Sequence, residues 1–250
     1  MPLHAFTLGA GPRVVLVHGF TQSGATWGSI ADDLATDHEV VLVDLPGHGG
    51  SADVRADLVE AAVLVGEAGG RAVYVGYSLG ARVSLHLALT RPQLVRGLLL
   101  QSGTAGIVDA AERAARRMND TALAEEIERD GVELFLERWL AQPMFVTLPP
   151  DAAALAERRT NTAAGLAASL RLMGTGTQEP LWGRLGELTM PVTVRWGGED
   201  HKFAELGRRM ARAIRAAEHE EVPGHGHAAH LEDPASFVAS VRRLVARTAA

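Results

Sequence analysis

The sequence predicts an α/β protein: a mostly parallel, doubly wound sheet with an inserted helical segment. Three observations carry that prediction. Short apolar runs recur at Val14-Val15-Leu16-Val17, Val40-Val41-Leu42-Val43, Ala72-Val73-Tyr74-Val75, Leu98-Leu99-Leu100 and Val192-Thr193-Val194. Each is nearly continuous rather than alternating, as expected for strands covered on both faces. Amphipathic stretches of helical length separate them, for example Trp27 to Ala35, Leu58 to Glu67 and Ala81 to Leu89. Strand and helix in alternation imply right-handed crossovers in a parallel sheet. The alternation stops near Ser102 and resumes near Pro191, and the interval is rich in Ala, Arg and Glu at helical spacing. That interval is expected to form a helical cap over the carboxyl ends of the strands. The expected division is a core of residues 1–103 and 187–250 with a cap of residues 104–186. The stretch from Pro234 to Ala246 predicts a final amphipathic helix, with Asp233 as its cap and Pro234 in its first turn.

Bulk properties narrow the function classes. A chain of 250 residues accommodates one large α/β domain with an insertion, or two small domains. With 47% hydrophobic and 22% charged residues, a soluble globular protein is expected. A net charge of -6 provides no broad basic surface, so nucleic acid is not an expected partner. The absence of cysteine excludes disulfides, thiolate catalysis and a cysteine zinc site. Met1-Pro2-Leu3-His4 lacks the basic and apolar regions of a signal peptide, and no apolar run is long enough to span a bilayer. A cytoplasmic location without membrane insertion is the expectation.

The strongest chemical signal is Gly76-Tyr77-Ser78-Leu79-Gly80, directly after a strand and directly before a helix. A serine in that G-x-S-x-G context sits on a tight, strained turn with its oxygen exposed. The flanking glycines suit a place where neighbouring backbone crowds the turn. A serine preceding a helix often only caps it, which is the structural alternative for Ser78. Its place at a helix N-terminus also favours developing negative charge. After the first core strand comes His18-Gly19-Phe20. The backbone N–H groups of Phe20 and Leu79 are expected to face one substrate oxygen as an oxyanion hole. His18 itself is expected to be a buried, hydrogen-bonded shaper of its loop.

A general base is expected after the last strand, where His225, His227 and His230 cluster. No acidic or cysteine partner is spaced to complete a metal site with them, so neither metal nor cofactor is expected. The third member should be a carboxylate after the preceding strand, where Glu199 and Asp200 are adjacent; Asp200 is the expected partner. Asp44, in Asp44-Leu45-Pro46-Gly47-His48-Gly49, reads as part of a rigid loop near the site.

These motifs resemble the α/β-hydrolase superfamily, in which serine, acid and histidine occur in that chain order. The resemblance covers His227, which lies five residues before Glu232 in a G-H-x-x-H-L-E-x-P pattern like the catalytic histidine loop of many such enzymes. Within the superfamily the chain is similar to the 2-succinyl-6-hydroxy-2,4-cyclohexadiene-1-carboxylate synthases of menaquinone biosynthesis. The segments that carry this are His18 to Gly24, Gly76 to Arg82, Trp139 to Phe145, Ser169 to Gly176, and Asp200-x-Lys202-Phe203. Ala81 departs from the pattern, where these synthases usually have a second glycine. The resemblance implies a carbon-oxygen lyase that eliminates pyruvate from a cyclohexene carrying an enolpyruvyl ether and a succinyl chain. Ser78, Asp200 and His227 would act as a base relay, without water or a covalent acyl-serine. It also implies a small polycarboxylate substrate held by Arg82, Arg116 and Arg158, with Tyr77 and Trp139 as pocket residues. From spacing alone, Arg116 and Arg158 are equally consistent with solvated helix faces, and Arg117 or Arg159 are open alternatives. Met173-Gly174-Thr175-Gly176 is expected to be a turn that seats the cap, since no P-loop lysine follows it. Two other readings share the core motifs: a true hydrolase of esters or of C–C bonds in ring-cleavage products, and a non-catalytic binding protein of the same fold.

Overall fold

The computed structural model describes residues 1–215 and 217–248. Seven strands form one sheet: β1 (Ala5–Leu8), β2 (Arg13–Val17), β3 (Glu39–Val43), β4 (Ala72–Tyr77), β5 (Val95–Gln101), β6 (Val192–Gly197) and β7 (Glu218–Val222). Their order is β1-β3-β2-β4-β5-β6-β7, with β1 antiparallel to β3 and every other pair parallel. Nine helices of α type accompany them among the described residues: α1 (Gly28–Leu34), α2 (Leu58–Gly69), α3 (Leu79–Thr90), α4 (Ala110–Leu140), α5 (Leu155–Arg158), α6 (Ala163–Met173), α7 (His201–Ala213), α8 (Ala229–Glu232) and α9 (Pro234–Arg247).

The continuous apolar runs are the central strands, and their alternation divides the core in two. Val15, Val17, Val41, Val43 and Tyr74 face one side of the sheet, with α2, α3 and α7 residues packed on them. Val14, Leu16, Val40, Leu42, Val73 and Val75 face the other, under α1 and α9. Local signals begin the helices. Asp57 accepts from the Val59 and Glu60 N–H groups at the start of α2, and Asp233 accepts from Ser236 at the start of α9 behind Pro234. The apolar runs did not reveal β1 and β7. Both lie at the edges of the sheet. Glu218-His219-Glu220-Glu221 on β7 is largely exposed, and an edge strand covered by water on one side needs no apolar run.

Between β5 and β6 the chain forms α4, α5 and α6 and no strand. α4 breaks at Gly131, whose φ of 80° and ψ of 170° lie outside the helical region. α4 and α6 pack around Ala124, Ile127, Phe135, Leu166, Ala167 and Leu170. The turn after α6 is tied to α4: Asp120 accepts from the Gly176 N–H at 3.1 Å, and Arg117 Nε donates to the Gly176 carbonyl at 3.2 Å. Among the described residues, no helix is long and apolar enough to cross a membrane.

Candidate active site

β4 delivers the chain into Ser78 at φ 51° and ψ −105°, a conformation that side-chain-bearing residues rarely adopt. The turn is forced by crowding. A Cβ on Gly76 would lie 2.4 Å from the Gly80 carbonyl oxygen, and one on Gly80 would lie 2.0 Å from that of Val17. Ser78 makes no side-chain bond to the start of α3, so it is not a helix cap. Its hydroxyl instead donates to His227 Nε2 at 3.0 Å. His227 Nδ1–H donates to Asp200 Oδ2 at 2.6 Å, a tautomer assigned from these two bonds.

Asp200 is held from both ends. One oxygen faces His227, and the other accepts from the Phe203 N–H as the cap of α7, at 3.3 Å. Asp200 and His227 are 7% and 1% exposed, so their bond is sheltered from water. The ring of Phe203 lies 4.4 Å from that of His227, with Tyr77 at 5.3 Å and Phe145 at 6.0 Å. The geometry thereby selects among the candidates. His225 engages the Pro223 carbonyl instead, and His230 is buried beneath Tyr77, its rings 4.1 Å apart. Burial pushes His230 well below the usual histidine value, aided by the positive charges of Arg195 and Arg158. Glu199 is exposed and lines the cavity rather than meeting the imidazole.

The loop after β2 is shaped by His18. Its Nε2 accepts from the Leu45 N–H at 3.0 Å and its Nδ1–H donates to the Gly19 carbonyl at 2.8 Å. Burial lowers the pKa of His18 and keeps the ring neutral, which that pair of bonds requires. Asp44 braces the same region through the N–H groups of Gly24 at 2.6 Å and Gly50 at 2.8 Å, and through His4 at 2.9 Å. Among the described residues, the Phe20 and Leu79 N–H groups have no acceptor within the protein. Two unpaired amides beside a nucleophilic oxygen suit an oxyanion.

Ser78 opens into a cavity of about 480 Å³, a size suited to a small molecule. Tyr77, Leu79, Arg82, Arg116, Trp139 and His227 are among its walls. Arg82 is 8% exposed, and its Nη1 has no hydrogen-bond partner. Burial, with the charge of Arg116 close by, pushes its guanidinium down to about 9. Arg116 is half-buried and oriented by Asp120, at 2.8 Å from Nε. Trp139 Nε1 and Ser169 Oγ on the same walls also lack partners.

Comparison with known proteins agrees with this geometry. Residues 14–241 match the alpha/beta hydrolase family. A 2-succinyl-6-hydroxy-2,4-cyclohexadiene-1-carboxylate synthase of Serratia proteamaculans is 32% identical over 245 residues, covering 94% of this chain and 93% of that one. The chain belongs to the alpha/beta hydrolase family. A protein of the same description from Klebsiella pneumoniae is 32% identical over 243 residues, covering 94% of each chain. The solved structure of MenH from S. aureus superimposes with a TM-score of 0.91 at 27% identity, over 99% of both chains. The molecule is thus an enzyme of the alpha/beta hydrolase fold.

In this hydrolase-fold enzyme Arg158 departs from the expected pocket, because it is not among the cavity walls. Its Nε donates to the Ala153 carbonyl at 2.7 Å and its Nη1 to Thr21 Oγ1, which clamps α5 onto the loop that carries Phe20. Asn161 adds to the clamp, donating to the Thr21 carbonyl at 2.8 Å. The neighbouring alternatives are engaged elsewhere, Arg117 with Gly176 and Arg159 with Glu133 on the surface. Sequence reading missed Asn119, Gln142 and Ser169 as cavity walls. A signal for the first existed: Arg116, Asn119 and Leu123 follow the i, i+3, i+7 spacing of one helix face.

Proposed function

We propose that this chain is a 2-succinyl-6-hydroxy-2,4-cyclohexadiene-1-carboxylate synthase, a carbon-oxygen lyase that eliminates pyruvate in menaquinone biosynthesis. The observation that carries the reading is the buried Arg82, converging with Arg116 on the cavity that Ser78 opens into. An unpaired buried guanidinium is costly, and a carboxylate bound there offsets that cost through charge-assisted hydrogen bonds. An ester pocket has no such need. The full-length similarity to synthases of that name supports the same choice.

The chemistry follows from the hydrogen bonds. Ser78 passes its proton to His227 Nε2, and Asp200 stabilises the imidazolium that forms. The serine oxygen takes a proton from the ring carbon. The C–H electron pair becomes a ring double bond as the C–O bond to the enolpyruvyl group breaks. Pyruvate leaves as its enolate, which gains the proton held on the His227 imidazolium, directly or through solvent, giving the keto acid and returning the base to its neutral form. The Phe20 and Leu79 amides hold the negative charge that develops on the ring-attached carbonyl oxygen of the succinyl chain as the proton departs. No water is consumed and no acyl-serine forms. The substrate is then a small polycarboxylate. This reading places the enzyme in the cytoplasm, where such a polyanion is retained.

The test supplies purified protein with the succinyl-enolpyruvyl cyclohexene precursor and couples released pyruvate to lactate dehydrogenase, with p-nitrophenyl esters run in parallel. Rapid pyruvate release with negligible ester cleavage is expected. Fast ester cleavage without pyruvate would move the assignment to a hydrolase. Arg82→Met, which keeps volume and removes charge, should lower kcat/KM roughly 10²-fold, the value of a hydrogen bond to a charged group. Its thermal midpoint should not fall, since no internal ion pair is lost; unchanged kinetics would remove Arg82 from carboxylate binding.

A further inference from the structure

The end of β5 touches both working groups of the triad. The Gln101 carbonyl accepts the Ser78 N–H at 2.9 Å. The next residue, Ser102, donates its hydroxyl to the His227 carbonyl at 2.9 Å. Gln101 Nε2 donates to Ser102 Oγ at 2.8 Å, and Gln101 Oε1 accepts from Arg195 Nη1 at 2.9 Å. Arg195 is fixed in turn by Ser236 Oγ, by Glu220 at 3.4 Å and by the ring of Phe237 at 5.4 Å. Gln101, Ser102, Arg195 and His227 are each no more than 1% exposed.

The direction of this chain is determined by its parts. Arginine only donates, so Gln101 must present its oxygen to Arg195 and its NH₂ to Ser102. Ser102 has one proton, and with its oxygen accepting from Gln101, that proton goes to His227. Ser102 also has a φ of 51°, a strained backbone of the kind retained where the surroundings over-determine it. On its other side the His227 N–H donates to the Met144 carbonyl at 3.2 Å. The peptide of the base is therefore held between β5 and the segment that precedes α5.

We propose that Gln101 and Ser102, oriented by Arg195, are positioning residues that fix His227 against Ser78. The proposal rests on the reading of Ser78, His227 and Asp200 as the working triad. Reacting groups need to be held to a fraction of an ångström, and a displacement of about 1 Å far from the chemistry can cost on the order of 10²-fold in rate.

Two variants test it by different means. Ser102→Ala removes the donor to His227. Gln101→Glu keeps the acceptor for Arg195 but replaces the NH₂ with a second acceptor, which draws the Ser102 proton away from His227. Three quantities are read: the rate constant and endpoint of Ser78 labelling by a fluorophosphonate, kcat and KM for pyruvate release, and the thermal midpoint. In each folded variant the labelling rate constant and kcat should fall on the order of tenfold, with KM held within about twofold and labelling still reaching completion. If Ser102→Ala does not fold, Gln101→Glu decides the matter, because its ion pair with Arg195 supports the fold. An unchanged rate constant overturns the proposal. So does a loss confined to the labelling endpoint, which reports fewer folded molecules rather than a misplaced base. Wild-type protein that is labelled but releases no pyruvate would refute the lyase reading, and the labelling rates would still decide the positioning role.

Discussion

The sheet with its flanking helices and the α4–α6 segment contrast in how they are built and in what they bring to the cavity. Val14 to Val17, Val40 to Val43 and Leu98 to Leu100 are almost fully buried, and helices cover both faces. The α4–α6 segment has a small core of Ala124, Ile127, Phe135, Leu166, Ala167 and Leu170. Ser78, Asp200 and His227 follow β4, β6 and β7, whereas Arg116, Asn119 and Trp139 reach the cavity from α4. Among the described residues, three of the four side-chain-bearing residues with positive φ, Thr21, Ser78 and Ser102, sit just beyond β2, β4 and β5. Strain needs a rigid frame to hold it. Under the proposed function the contrast is a division of labour: the reacting atoms are set by backbone geometry in the sheet, and the cavity that would receive the substrate is walled in part by side chains on a thin helical layer.

The largest effect should come from the sheet. Ser78→Ala and His227→Ala are each expected to lower pyruvate release by at least roughly 10³-fold while far-UV circular dichroism stays unchanged. Activity that survives His227→Ala but not His225→Ala would break the assignment of the base. The next effect probes the helical layer. Phe135 packs against Trp139 at 5.7 Å and Phe20 at 6.2 Å, so Phe135→Ala removes the support of one cavity wall. It should cost about 3 kcal/mol in urea unfolding and raise KM more than it lowers kcat. A lowered kcat at constant KM would mean that this layer also sets the reacting atoms.

The smallest effect, that of a single buried histidine, separates the regions by pH. Residues 104–186 contain no histidine, while the sheet region buries several in neutral form. Burial lowers His48 from 6.5 to about 3 and His86 from 6.5 to about 4, and it lowers His18 and His230 as well. Below pH 6.5 the unfolded chain takes up protons that the folded one refuses. Stability is therefore full above 6.5 and declines as pH falls toward 4 and 3, by up to about 1.4 kcal/mol per unit for each such histidine. Urea titrations at pH 7.0 and 5.5 should reveal the loss. His48→Gln should reduce the slope, whereas Phe135→Ala should leave it intact.

The unequal legibility of the two regions has the same cause. The central strands, Ser78 with its glycines and the loops holding Asp200 and His227 were readable because short-range patterns create them. In the α4–α6 segment, Arg113, Arg116 and Arg117 share one helix with nearly the same spacing. Nothing local says which of them meets a cavity. The Asp120 carboxylate, fixed by Gly176 beyond α6, settles that for Arg116. β1 and β7 escaped notice because edge strands need not be apolar.

By itself the sequence determined the α/β alternation, the crowded turn that exposes Ser78, and the order of serine, acid and histidine. Turn sterics and strand periodicity act over a few residues, so a few residues suffice to read them. Only the folded chain shows which ring atoms of His227 meet Ser78 and Asp200, that Arg158 clamps Thr21, and that the side chains of Arg82 and Arg116 converge on one cavity. Those outcomes depend on contacts between residues far apart in the chain, where burial, ion pairing and shape set the direction of each side chain.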